Sequence, residues 1–551
     1  MSNQDCSQTN RRSFLLRSVL APTAACVAGQ SILTTPLLGN PLESDSKTAT
    51  TTANAGEATR LVPIDHPLMR VRIELDVKGN VLVPKNPLIK PSETRELPIE
   101  SKAVLDYEER QRRAAESEGW DLVTERYYHA AESTSKLNKT SRHQTIRDSA
   151  RQTVVHQKRL PATIYSPTTF LTHGELSLLK SPLNALASES LLPDQAVTAG
   201  DRYKIDVQHI AALLNWTTAD SGSVECEVVS LDDRQAKLQF KGNVKGSVDS
   251  VETEIELLGK LLFDLEQGFC PWVALAVHEK RRSGQAEPGF DLAGTLRMIR
   301  QPMEKPVALA SDPISIDTTA EPPADRLYVE LQSAQLGCSA MMQRRWKMIQ
   351  DRPGAAVLRM IEHEKSLSQC NLQMLPALPE GHQLTLEAFK TMVSRSVDGN
   401  LTQLVNGSER VSGQGLRILT VIADGETSGV PVRWIMMHFS DDQGKRVQAT
   451  FTLPAAQIEA FAGSDAQFAD SLRFLSEDQI LDGKPPEMRE NSATEPPGQA
   501  NLQQNPSLKV LNPGPEPIKM GATKTGSDAS ISGDAAAKIG KASVQPPASA
   551  R

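Results

Sequence analysis

Apolar and polar residues alternate through most of the chain between Leu61 and Arg300. In VRIELDVKGNVLV, Val71–Val83, the residues Val71, Ile73, Leu75 and Val77 recur every second position, which is strand spacing. Lys78-Gly79-Asn80, in the middle of that stretch, has hairpin composition and predicts a turn. Further strands are expected over Leu122–Ala131, Val224–Leu231, Ala236–Phe240, Ser247–Leu258, Leu261–Leu265, Trp272–Lys280 and Asp291–Ile299. Asp232-Asp233, Gly242-Asn243, Gln267-Gly268 and Pro288-Gly289 supply turn chemistry between them. Two stretches read as helix: the charged run Lys102–Glu116, and Val207–Asn215 after TAGDRYKI. Successive strands with short turns predict an antiparallel meander, which must curl or be covered to hide its apolar face. A curved sheet or half-barrel is the expectation.

A second patterned block follows. Trp346–Ile349, Ala356–Glu362 and Gln369–Leu375 read as strands. In LTLEAFKTMVSRSV, Thr385 is an N-cap candidate, and Phe389, Met392, Val393 and Val397 fall at helical spacing. Strands are then expected over Gly415–Ala423, Val430–Phe439 and Lys445–Leu453, the last two joined by a hairpin at SDDQG, Ser440–Gly444. Pro454 suits the first position of a helix running through Ile458 and Phe461. This order, carried by QCNLQML, the LTLEAFKTMVSRSV helix and the VRWIMMHFSDDQGKRVQATFTLPAAQIEAF ending with SLRFL, resembles the PsbP-like fold over Tyr328–Leu475. The resemblance implies an antiparallel sheet between helices, and an exported or lumenal accessory protein without enzymatic activity. It implies no particular functional residues. The strand pattern of the first block is similar to the half-barrels of periplasmic lipoprotein carriers, an analogy of fold alone.

Aromatic residues mark where a core can form. None occurs from Ser31 to Arg60, from Gln301 to Leu327, or from Leu475 to Arg551. Such stretches bury too little apolar surface to offset the entropy of ordering them. The expected layout is α+β: a signal peptide at 1–29, a disordered linker at 30–60 and a mainly antiparallel β domain at 61–300. A Pro-rich linker at 301–327, a PsbP-like sheet flanked by helices at 328–475 and a disordered tail at 476–551 complete it.

The N-terminus carries an address. Arg11 and Arg12 precede Ser13, Phe14 and Leu15, and a mildly apolar run follows to Gly29. Both arginines, Phe14 and Leu15 resemble the twin-arginine export signal, with Asn10 before the pair and the next basic residue at Arg17 as departures. The run holds Pro22 and is too short to span a bilayer. Cleavage is expected near Ala28 or Gly29. Cys26, after Thr23-Ala24-Ala25, would be the site of a lipid anchor, although the Leu usual three residues before it is missing. The partners implied are the export machinery and then an envelope protein or hydrophobic ligand, in the periplasm or cell envelope or outside the cell.

Charge and chemistry change this picture little. The 551 residues carry a net charge of −7 with both signs interspersed, so no electrostatic footprint for nucleic acid exists. No apolar run of membrane-spanning length follows the signal. Cys226 shares a strand face with Val224 and Val228, and Cys370 with Leu372 and Met374, as small buried hydrophobes would; any disulfides would be Cys226–Cys270 and Cys338–Cys370. There is no CxxC, and His363-Glu364 lacks the second histidine of a zincin because Leu367 stands there. Gly425–Gly429 is no nucleophile elbow, Gly413-Gln414-Gly415 lacks the rest of a dinucleotide fingerprint, and His438 lies on the face of Val432, Trp434 and Met436. Glu252, Glu254 and Glu256 share one strand face, where a solvated ladder opposite Lys237 and Lys241 is expected before a Ca²⁺ site. No catalytic, cofactor-binding or metal-ligating residue is assigned, and no cofactor is expected. The leading expectation is a non-catalytic exported binding or accessory protein, with a hydrophobic-ligand carrier or a hydrolase of unrecognised motif as alternatives.

Overall fold

The computed structural model describes residues 58–84, 94–112, 122–284, 287–311, 314, 316–317, 320–379 and 382–476. The export signal, with Arg11, Arg12, Phe14, Leu15 and Cys26, lies outside these residues, as does nearly all of the expected linker at 30–60 and tail at 476–551.

The first block is a run of antiparallel strands: β1 Leu68–Pro84, β2 Thr94–Arg112, β3 Leu122–Leu137, β4 Thr140–Thr145, β5 Gln152–Gln157, β6 Thr163–Tyr165 and β7 Leu171–Thr172. Helix α1, His173–Leu179, follows, then β8 Arg202–Ile205 and helix α2 Val207–Leu213. The long strands β9 Thr218–Leu231, β10 Gln235–Val248, β11 Val251–Asp264, β12 Phe269–Arg281 and β13 Gly289–Pro302 complete it. All except β7 join one open, curved sheet of twelve strands, ordered β6-β5-β3-β2-β1-β13-β12-β11-β10-β9-β8, with β4 paired to β3.

Three sequence readings need correction here. Lys102–Glu116 is not a helix: through Arg112 it is the second half of β2, with Ala103, Leu105 and Tyr107 buried at a period of two between β1 and β3. Its charge density imitated a solvated helix, while its apolar residues kept strand phase. Lys78-Gly79-Asn80 is no turn either, because β1 runs straight through it. A Cβ on Gly79 would lie 2.3 Å from the Asp291 carbonyl oxygen, so this glycine serves the close approach of β13 and not a reversal. Gly242-Asn243 likewise lies inside β10, where a Cβ on Gly242 would meet the Ser223 carbonyl at 2.0 Å. The reversal comes at Asp249-Ser250, whose φ angles of 47° and 70° make a two-residue turn of the primed kind without glycine. The expected segments Ser247–Leu258 and Leu261–Leu265 thereby resolve into the end of β10 and the single strand β11.

The second block contributes β14 Tyr328–Ser333, β15 Cys338–Gln343, β16 Trp346–Arg352, β17 Ala355–Glu362, β18 Lys365–Leu375, α3 Leu386–Ser396, β19 Leu401–Val411, β20 Arg417–Thr427, β21 Val430–Ser440 and β22 Arg446–Pro454. Short helices α4 Ile458–Phe461 and α5 Ser464–Ser471, and the brief strand β23 Arg473–Phe474, end it. A seven-stranded antiparallel sheet runs β16-β17-β18-β22-β21-β20-β19. Thr385 caps α3 by accepting from the Ala388 amide, and Phe389, Val393 and Val397 pack onto Leu419, Val421 and Trp434 on one face of that sheet. Met392 points to solvent. Phe461 and Phe468 cover the other face against Ile435, Phe439 and Phe451.

The strands β14, β15 and β23 went unread in the sequence, and they join the two blocks. They form a four-stranded sheet, β23-β15-β14-β7, whose last member belongs to the first block and pairs in parallel with β14 through Leu171–Val329 and Thr172–Glu330. Arg147 sits at this joint. Its guanidinium reaches both carboxylate oxygens of Glu175 at 2.8 Å, Glu330 at 2.9 Å and the Phe170 carbonyl at 2.8 Å. Glu330 accepts in turn from Ser339 and Arg473. Among the described residues no helix is long and apolar enough to cross a membrane.

The turn at Asp249-Ser250 allows a direct check. Ser250→Gly removes the steric cost of a left-handed non-glycine residue and should stabilise the chain by about 0.5 kcal/mol. A raised urea midpoint would record this, whereas a lowered one would contradict the turn assignment.

Candidate functional site

An open sheet of this size has an inner apolar face that something must cover. Here the chain covers it with its own residues between β7 and β9. Leu176, Leu179, Leu183, Leu186, Leu191, Ile210, Leu213 and Trp216 are buried in one core with Val71, Ile73, Tyr107, Phe240, Val273 and Leu296 of the sheet. Helix α1 starts with a reciprocal cap, in which Thr172 accepts from the Glu175 amide and Glu175 accepts from the Thr172 amide.

The polar residues of interest lie beneath this filling segment. In β2 and β3, Tyr107 stands opposite Tyr128, and Glu109 opposite Arg126. All four are at least 95 % buried. The Arg126 guanidinium donates to Glu109 at 2.8 Å, lies 4.7 Å from the centre of the Tyr107 ring, and reaches Asn184 at 3.4 Å. Asn184 donates to Gln157 and accepts from the Leu186 amide. A second buried arginine, Arg300, pairs with Glu189 and donates to Ser188 at 2.9 Å, while Glu189 accepts from the Cys270 amide at 3.1 Å. Both arginines therefore hold the filling segment, residues 184–189, against the sheet.

The opposite face of the same strands holds a second segment. The buried Glu108 carboxylate accepts from the amides of Val307, Ala308 and Leu309 at 3.0–3.1 Å and from His129 at 2.6 Å. Burial alone would raise this carboxyl, but the Leu309 and Ala308 amides, His129 and the Val307 amide together hold it below its ordinary value. Arg110 bridges Glu125 and the Ala310 carbonyl. Pro-rich composition at 301–327 predicted a linker; part of it is tied along this face by main-chain hydrogen bonds, which need no aromatic side chains.

A small cleft opens farther along, between β5, β6 and the residues after Leu309. It holds 220 Å³ and is lined by Val154, His156, Tyr165, Ile316, Pro323 and Arg326. The Tyr165 hydroxyl lies 3.4 Å from the His156 ring. The volume is below the ~300–1,000 Å³ usual for ligand sites.

The residues weighed in the sequence take ordinary structural places. Glu252 and Glu254 form a solvated ladder, though their partners are Arg282 and Lys245, at 2.5 and 3.0 Å, and not Lys237 and Lys241, which pair with other positions of β11. His363-Glu364 is the β17–β18 turn, and Ser428-Gly429 the β20–β21 turn. Cys226, Cys270, Cys338 and Cys370 are buried free thiols. Burial pushes Cys226 up to about 11 and Cys338 up to about 12, so both are protonated thiols at neutral pH. His438 packs against Phe389 and, among the described residues, neither ring nitrogen has a hydrogen-bond partner, while burial, with Arg446 and Arg417 nearby, lowers it to about 4.

The paired charges beneath the filling segment were missed in the sequence, yet a signal existed. Glu109 continues the apolar phase of Ala103, Leu105 and Tyr107, and Arg126 shares the phase of Tyr128. Opposite charges set in the buried phase of neighbouring strands mark a desolvated pair.

No family model matches the chain. No curated protein matches its sequence. Among solved structures, a single-site mutant of the protein Mog1 aligns at 10 % identity and a TM-score of 0.23 over 28 % of this chain and 98 % of that one. The cyanobacterial PsbP, CyanoP, of Synechocystis sp. PCC 6803 aligns at 14 % identity and 0.22 over 27 % and 92 %. The translocator domain of the autotransporter NalP from Neisseria meningitidis aligns at 8 % and 0.11 over 71 % and 88 %. Scores this low decide neither fold nor function.

Two outcomes follow from the buried groups. Arg126→Met strands a buried carboxylate and should cost about 3–5 kcal/mol, while adding Glu109→Gln should recover part of that loss. A double-mutant cycle by urea unfolding measures it, and additive losses would mean the pair is not coupled. The pH response has a definite sign at His438. The unfolded chain takes up a proton near the ordinary 6.5 that the folded chain refuses down to about 4. Stability should fall as pH drops from 6.5 towards 4, and His438→Leu should flatten that dependence by one proton in unfolding titrations.

Proposed function

We propose that this chain is an exported, non-catalytic binding or accessory protein of the cell envelope. The observation that supports this reading most is the state of the inner face, filled by residues 173–216 and pinned by Glu109–Arg126–Asn184 and Arg300–Glu189. A carrier of lipid would need that volume free, and a general acid or base would need a carboxylate not already committed to an arginine. Export rests on the N-terminal pattern, and binding would fall to the outer surfaces of the two blocks.

The test uses the full chain in its own host. Protein purified from the envelope fraction should show by native mass spectrometry the mass of the polypeptide alone; a stoichiometric lipid would replace this reading with that of a carrier. In the same strain, Arg11→Lys with Arg12→Lys should leave the chain in the cytoplasm on fractionation. Unimpaired export would mean that the twin-arginine reading of the signal is wrong.

A further inference from the structure

A strand at the edge of a sheet offers a row of unpaired amides and carbonyls, and most outermost strands of this chain are short or tied down. In the large sheet the outer strands β6 and β8 have three and four residues. In the four-stranded sheet β7 and β23 have two each. At one end of the seven-stranded sheet, Lys347 ties β16 to Asp249 and Glu287 of the first block, at 3.3 and 3.2 Å. The other end is β19, eleven residues long, exposed everywhere except at the half-buried Leu401 and Gly407. It carries neither proline nor lysine, which commonly guard an edge, and Leu404, Val405 and Val411 stand in solvent along it. Its first half is bulged against β20, but Asn406–Val411 pairs regularly with Arg417–Ile422. Among the described residues no strand lies on its outer side.

The main-chain groups it offers follow from the neighbouring turn. Ser412 donates its amide to the Leu416 carbonyl at 2.8 Å and accepts at its carbonyl from the Gly415 amide at 3.0 Å, both on the β20 side. Along an antiparallel strand this direction alternates, so Val411, Glu409 and Gly407 turn their amides and carbonyls outward. A second copy of β19, brought up antiparallel by a two-fold axis, can match these groups only in registers centred on one residue. Centring on Glu409 or Arg410 sets like charges face to face, and centring on Asn406 draws the bulges into the new ladder. Centring on Gly407 sets Val405 opposite Glu409. Centring on Ser408 sets Val405 opposite Val411 and Gly407 opposite Glu409, so apolar meets apolar and like charges stay apart.

Charge favours that same register. Gly407 leaves its side-chain position to Lys390 of α3, since a Cβ there would lie 2.5 Å from the Lys390 Cε and 3.5 Å from its Nζ. Glu409 of the second copy would stand directly opposite, with its Cβ about 5 Å from that position, which brings its carboxylate within reach of the Lys390 ammonium. The two-fold axis makes this contact twice. Lys390 also meets Glu387, and Glu409 meets Arg417, each at 2.8 Å. Both pairs lie at the surface, and an ammonium with three hydrogens or a carboxylate with two oxygens accommodates a second partner.

We infer that two copies of this chain associate through β19, antiparallel and centred on Ser408, which joins their seven-stranded sheets into one. The main chain supplies the ladder, and the Val405–Val411 and Lys390–Glu409 contacts fix its register.

The test is sedimentation equilibrium of the full chain over a wide concentration series. A reversible monomer–dimer equilibrium is expected. Glu409→Lys sets a like charge against Lys390 of the second copy and should weaken dimerisation at least about tenfold. Adding Lys390→Glu to it restores opposite charges across the axis and should bring the dimer back. A chain that stays monomeric throughout overturns the inference and leaves the β19 edge to a strand from another protein. A dimer that Glu409→Lys leaves at full strength, or one that the charge exchange fails to recover, overturns it as well.

Discussion

Covering the inner face of an open sheet is the constraint on which the rest of this structure depends. Twelve antiparallel strands present a stripe of Val, Ile, Leu and Phe on a sheet that, among the described residues, does not close on itself. Burial of such side chains is worth about 1.5–3 kcal/mol each, so the stripe cannot stay in water. The chain answers with residues 173–216, which are mostly short helical turns and irregular backbone. Irregular backbone carries its own unpaired polar groups, and these need partners under the sheet. The buried arginines meet the polar side chains that this segment carries under the sheet: Arg126 meets Asn184, and Arg300 meets Ser188 and Glu189.

The same logic explains where the second block attaches. Filling the inner face brings β7 and α1 to the edge of the sheet, with the β7 backbone available for pairing. Strand β14 takes that edge in parallel, and β15 and β23 extend it. Two main-chain pairs make a short ladder, and Arg147 reinforces it by joining Glu175 of the first block to Glu330 of the second. Glu175 also caps α1, so the residue that starts the filling segment is the one that anchors the neighbour. Filling the sheet and joining the blocks are therefore coupled through a single carboxylate.

Much of this was legible in the sequence where periodicity was unbroken. Strands β9, β12, β13, β17, β20, β21 and β22, helices α2 and α3, the Thr385 cap and the Ser440–Gly444 hairpin lie where spacing and turn residues place them. The failures share a cause. Glycine was read as a turn signal at Gly79 and Gly242, where its value is that it has no Cβ between closely packed strands; the true reversal at Asp249-Ser250 has no glycine to announce it. Lys102–Glu116 was misread because its charged residues outnumber its apolar ones. Strands β14 and β15 form a local hairpin that was overlooked, while the pairings of β14 with β7 and of β15 with β23 span distances in sequence that no local pattern encodes. Glu108, Glu109, Arg126 and Arg147 were invisible as a group because each gains its role from a residue 17 to 201 positions distant.

Where charges are buried in this protein, the partner decides what they can do. Glu109 is committed to Arg126, Glu125 to Arg110, Arg112 and Gln152, Glu175 to Arg147, and Glu330 to Arg147, Ser339 and Arg473. A carboxylate so engaged is fixed in place by its cation, which suits a strut and not an acid or base that must exchange protons during turnover.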